Sequence, residues 1–109
     1  MAAFLHAYQL TLTTASTKYS LRTLITAIES GAPQFVGEIQ LQSDKANAAS
    51  KISVGDTNIS TTRYGYQLEP GEGKSYGPGR MNGLDTASLY FMSDTNAVKI
   101  NVELMEYGN

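Results

Sequence analysis

From Val98 to Leu104 the chain reads Val-Lys-Ile-Asn-Val-Glu-Leu, apolar at every second position and polar in between. A period of two puts Val98, Ile100, Val102 and Leu104 on one face of an extended strand, and Lys99, Asn101 and Glu103 on the other. A strand with one dry face must be covered by a second layer, so this segment commits the chain to a layered β architecture. The alternation recurs upstream. Tyr8, Leu10 and Leu12 oppose Gln9, Thr11 and Thr13, while Phe35, Ile39 and Leu41 oppose Val36, Glu38, Gln40 and Gln42. Ile52 and Val54 form a further inward pair, and Tyr64, Tyr66 and Leu68 alternate with Arg63, Gly65 and Gln67. Leu89 and Phe91 alternate with Ser88, Tyr90 and Met92. Ser93-Asp94-Thr95-Asn96 then reads as a tight polar turn joining this strand to the last one as a β-hairpin.

Only one stretch changes period. Leu21, Leu24, Ile25 and Ile28 fall at i, i+3, i+4 and i+7, the stripe of an amphipathic helix. Ser20 is placed to cap it, with Tyr19 and Leu24 as a hydrophobic staple. Gly31 and Pro33 mark its end, so the helix is predicted over Leu21–Ser30 with Gly31 left-handed. Glu69-Pro70-Gly71-Glu72 carries the chemistry of a type II turn. Ser43–Ser50 reads as an exposed loop, and Ser75–Gly83, with its glycines and a proline around Tyr76, Arg80 and Met81, has no clear period. The predicted fold is mainly β: an antiparallel β-sandwich or jelly-roll-like barrel of six to seven strands with one short α-helix.

The 109 residues suffice for one core, so a single domain over 1–109 is expected, with 1–6 as an apolar N-terminal arm. There is no cysteine, which removes disulfides, thiolate catalysis and Cys-type zinc sites. Net charge is −2 and the eight Lys and Arg are scattered singly, so the basic stripe of a nucleic-acid binder is missing. The opening residues lack the basic start and sustained apolar stretch of a secretion signal, and no apolar run is long enough to span a bilayer. Synthesis in the cytoplasm with no membrane partner is therefore expected.

Catalysis finds little to work with. The one histidine, His6, stands near the N-terminus just before the first strand, with no second histidine for a triad and no G-x-S-x-G elbow. Asp56 and Asn58, and again Asp94 and Asn96, offer oxygen donors, but one carboxylate per loop suits a turn better than calcium. Glu69 and Glu72 flank a turn rather than a cleft. No catalytic residue, metal or cofactor is expected, and the chain does not read as an enzyme.

Binding fits the sequence better. Seven tyrosines stand against three phenylalanines and no tryptophan, and tyrosine joins a large ring to a hydroxyl that can face a partner. Tyr64 and Tyr66 share a strand face and are assigned to the core. Tyr76, Tyr90 and Tyr107 are assigned to an interface, with Arg80 beside Tyr76. The apolar start, with Ala2, Phe4 and Leu5, either completes a sheet edge or docks on a neighbour.

Val54-Gly55-Asp56-Thr57-Asn58-Ile59-Ser60, Leu68-Glu69-Pro70-Gly71-Glu72, Leu84-Asp85-Thr86-Ala87-Ser88-Leu89-Tyr90-Phe91 and Val98-Lys99-Ile100-Asn101-Val102 form a series of turns and strands. In that order, behind a short helix, they resemble small β-sandwich virion proteins of tailed bacteriophages. The resemblance spans roughly Lys18–Leu104 and departs at Ser75–Gly83. It implies a virion structural protein of the capsid decoration or cement type, held by contacts with the major capsid protein or other virion proteins. It brings no catalytic residues. A homo-oligomer is expected, with a trimer as its order. A neck, tail or baseplate component is the alternative within that class, and a carbohydrate-binding β-sandwich module the alternative outside it.

Overall fold

The computed structural model describes residues 3–60, 62–79 and 81–108. In chain order the elements are β1 (Ala3–Leu12), β2 (Tyr19–Ser20), α1 (Leu21–Ile28), β3 (Phe35–Val36), β4 (Glu38–Ser43), β5 (Ile52–Gly55), β6 (Tyr66–Leu68) and β7 (Gly73–Tyr76). β8 (Leu84–Asp85), a 3₁₀ turn (Thr86–Ser88), β9 (Tyr90–Ser93) and β10 (Val98–Tyr107) complete the chain. The protein is mainly β, with one α-helix among the described residues, as its alternating pattern predicts. Among the described residues the strands number ten rather than six or seven. β2, β3 and β8 are two residues long, too short to show any period in a sequence.

The strands form two four-stranded antiparallel sheets, ordered β1-β10-β4-β7 and β2-β9-β5-β6, with β3 and β8 as a small separate ribbon. The pairing is nested: β1 with β10, β2 with β9, β3 with β8, β4 with β7 and β5 with β6. This is the strand order of a jelly roll. Its consequence overturns one expectation. β9 and β10 are not a hairpin, because they lie in different sheets. The turn between them bonds elsewhere: Asp94 N–H donates to the Lys51 carbonyl, and Ala97, held at φ 57°, donates to that of Thr13. A period of two reports one buried face, and both strands have one whether or not they pair with each other.

The two sheets close on a common core in which Leu12, Ile52, Val54, Phe91, Ile100 and Leu104 are fully buried. α1 adds Leu21 and Ile25 to that core. Ser20 caps it as expected, its Oγ accepting from Thr23 N–H at 3.1 Å. The helix stops at Ile28, two residues early. Glu29 is already extended, and Ala32 N–H turns back to the Glu29 carbonyl without a left-handed Gly31. A left-handed glycine does lie in the Pro70–Gly71 turn, with Gly71 at φ 87°, as the type II chemistry requires. The 44–51 loop is less exposed than its composition suggests. Asn47 is buried, donates to Ser43 Oγ and accepts from Lys99 N–H at 3.0 Å, which pins the loop to β10.

Candidate interaction surface

From Ala3 onward the N-terminal arm is a strand. β1 pairs with β10 from Ala3 opposite Tyr107 to Leu12 opposite Val98. Near its start the molecule leaves large apolar side chains in water. Among the described residues those well exposed are Phe4, Leu5, Ile28, Phe35, Tyr64, Tyr66 and Met81, with Met81 at 78%. Five of them collect at one end. Phe4 and Leu5 sit opposite Glu106 and Met105. Ile28 ends α1, and the next residue, Glu29, accepts a hydrogen bond from the Tyr8 hydroxyl at 2.9 Å, which lays the helix end along β1. Phe35 stands two residues before Gly37, whose N–H donates to the Met105 carbonyl. The Met81 carbonyl lies 3.4 Å from where a Gly37 Cβ would stand.

Tyr107 is part of this end. A Cβ on Gly37 would collide with its ring, so the glycine makes the space the ring occupies. The Asn82 side chain holds the Tyr107 backbone at both poles, accepting from its N–H at 2.8 Å and donating to its carbonyl at 2.7 Å. Several large apolar side chains exposed at one end mark interaction sites more often than isolated ones do.

A polar cluster lies at the same end of β1. His6 Nε2 is 3.1 Å from Glu106 Oε1, and His6 Nδ1 is 4.0 Å from Glu29 Oε1. Partial burial, then the hydrogen bond to Glu29 and the charges of Glu29 and Glu106, push the Tyr8 hydroxyl up to about 12. Both ring nitrogens of His6 thus face carboxylates, and no Ser or Thr hydroxyl is hydrogen-bonded to it among the described residues. The cluster fastens β1 to α1 and β10.

The structure brings Phe4, Leu5 and Tyr107 together; Ala2 and Arg80 lie outside the described residues. Tyr76 sits on β7, opposite Ile39 and half-buried. With Tyr66 it flanks the Lys74 ammonium, which is 5.4 Å and 5.2 Å from the two ring centres. Burial raises the Tyr76 hydroxyl above its ordinary range. Tyr90 belongs to the other sheet, its ring 6.0 Å from Lys18 Nζ. Tyr64 and Tyr66, assigned to the core, are exposed instead, because β6 is short and lies at a sheet edge.

Sequence reasoning missed Ile28, Phe35 and Met81. Ile28 belongs to the helical stripe but occupies the last helical position, beyond the reach of the core. Phe35 shares parity with Ile39, yet Val36 is the buried one, so the alternation slips by one residue at Gly37. That glycine was the available signal.

The outer face of the β1-β10-β4-β7 sheet has another character. Gln9, Asn101 and Gln42 stand in register across three strands, with Glu103 and Gln40 in the next row. Gln9 Nε2 donates to Asn101 Oδ1 and to Asp44 Oδ2, each at 3.1 Å. The Ala46 backbone N–H and the Asn101 amide hold the Asp44 carboxyl below its usual range. Gln9, Gln40, Gln42, Asn101 and Glu103 line a shallow trough of about 540 Å³. No protein-family model matches the chain, and no curated protein matches it.

Proposed function

We propose that this chain is a non-catalytic structural protein of a virus particle, a capsid decoration or cement protein of the tailed-bacteriophage type. The apolar end carries this reading: Phe4, Leu5, Ile28, Phe35 and Met81 are all exposed, on segments that the β1–β10 pairing and the Gly37 and Glu29 contacts bring to one end of the domain. A surface of that composition is stabilised by being covered, and covering it on a neighbour adds buried area at about 25 cal/mol per Å² before the costs of association. The jelly-roll order is compatible, since viral capsid domains use it, but this is analogy of fold and not of site. The partners are the major capsid protein or other virion proteins, met after synthesis in the host cytoplasm.

Mass spectrometry of purified particles tests the proposal. The expected result is many copies per particle, falling sharply for a Phe35→Asp, Met81→Asp double variant that still folds. Absence from particles overturns it, and a few copies would move the chain to a neck, tail or baseplate. The amide-lined trough favours one reading of another class, a carbohydrate-binding module, because jelly rolls also serve lectins. Saturable binding of the isolated protein on a glycan array would replace the virion reading with that one.

A further inference from the structure

β1 is an edge strand, paired along its whole length on one side only. The directions of its backbone groups follow from β10. The carbonyls of Lys99 and Met105 accept from Asp44 and Gly37, on the β4 side. The odd-numbered residues of β10 therefore bond toward β4 and the even-numbered ones toward β1. Because Tyr8 stands opposite Val102 and Leu10 opposite Ile100, the even-numbered residues of β1 bond to β10. The N–H and C=O groups of Ala3, Leu5, Ala7, Gln9 and Thr11 then point off the sheet. All of these residues are exposed, and among the described residues nothing is hydrogen-bonded to their backbone groups.

We propose that this edge is closed by the same edge of a second copy, in an antiparallel pairing whose two-fold axis passes through Ala7. The free groups are distributed evenly about that residue. A two-fold there sets Ala3 opposite Thr11, Leu5 opposite Gln9 and Ala7 opposite itself, so each free N–H meets a free C=O. The strand Ala3–Leu12 contains no Lys, Arg, Asp, Glu, Pro or Gly. Those residues are the usual means of blunting an edge, and without the charged ones self-pairing brings no like charges together unless His6 is protonated. The same register sets exposed Phe4 beside Leu10 of the second copy, and Leu5 beside its Gln9. A two-fold contact of this kind consumes the edge of both copies and stops at a pair, in place of the trimer expected from the sequence. The inference stands on the free edge alone and does not depend on a virion location.

Sedimentation of the purified chain over a concentration series, with two variants, tests it. Ala7→Pro removes a donor of the proposed contact without removing a bond to β10, because the Ala7 N–H points outward. Ala7→Lys sets two ammonium groups against each other across the axis, while within each copy the new charge lies beside Glu103. The wild-type chain should sediment as a dimer and Ala7→Lys as a monomer with an unchanged melting temperature when dilute. Ala7→Pro should also lose the dimer; if it fails to fold, Ala7→Lys decides. Amide exchange should slow on concentration at Leu5, Ala7, Gln9 and Thr11, with Tyr8 and Leu10 already slow in the monomer. A wild-type chain that stays monomeric, a trimer, a dimer surviving Ala7→Lys, or slowing confined to another strand would overturn the proposal.

Discussion

The β1-β10-β4-β7 sheet has two edges, and they are built differently. β1 offers ten residues without a Lys, Arg, Asp, Glu or proline, and five of its residues point free backbone groups outward. β7 offers four, Gly-Lys-Ser-Tyr, and is followed at once by Gly77-Pro78. Lys74 faces the inner side there, opposite buried Leu41, where the rings of Tyr66 and Tyr76 shield its stem and attract its charge. A short strand, an inward-facing charge and a nearby proline are the recognised ways of keeping an edge from pairing. One chain therefore protects one edge and leaves the other open. The open edge also runs into the exposed apolar end, so unpaired backbone groups and exposed apolar side chains meet there.

The two edges are also held to the core differently. On β1 the inner anchor is Leu10, 2% exposed within the main cluster. Leu10→Ala should destabilise the fold by about 2–5 kcal/mol, the range for buried leucines whose surroundings relax only in part. Equilibrium urea unfolding measures this. A loss under about 1 kcal/mol would mean that β1 is frayed rather than open, and the contrast between the edges would fail. On β7 the effect should be smaller and of another kind. Lys74→Ala removes a cation–π contact at a partly exposed site, at a cost of less than about 1 kcal/mol. It also strips the second edge of its charge, so light scattering should show assembly continuing past the pair. Unchanged scattering would show that shortness and Pro78 protect β7 without help from Lys74.

The long strands β1 and β10 were legible because each alternates core-facing and outward side chains, and the helix because Ser20 stands ahead of a clean stripe. Which strands pair was not legible. Nothing in Ser93-Asp94-Thr95-Asn96 distinguishes a hairpin from a crossing between sheets; the difference lies in hydrogen bonds to Lys51 and Thr13, which are distant in the sequence. The candidate surface was half legible. Phe4 and Leu5 stood out as an apolar start, and Tyr107 as a ring near the C-terminus. Ile28 and Phe35 were hidden by patterns that, continued one step too far, would have buried them. Pattern reports what the middle of an element does, and this surface is made from the ends of elements.

Both edges carry a tyrosine whose hydroxyl is held neutral beyond its ordinary range, for different reasons, and this gives the smallest and most specific test. On β7 burial alone raises Tyr76. On β1 burial raises Tyr8 first, and Glu29 adds to it by accepting its proton in a hydrogen bond. Between the ordinary value of 10.0 and about 12 the unfolded chain gives up the Tyr8 proton while the folded chain keeps it. The unfolded state binds fewer protons in that window, so stability is complete below it and falls as pH rises through it. Glu29→Gln should bring the Tyr8 titration down but leave it above 10.0, because burial remains, and should leave that of Tyr76 where it is. Tyrosinate absorbance followed against pH, with Tyr8→Phe to assign the signal, reads both. If Glu29→Gln moved the two tyrosines together, the helix end would be acting on the whole sheet, and β1 would not be the separately fastened edge described above.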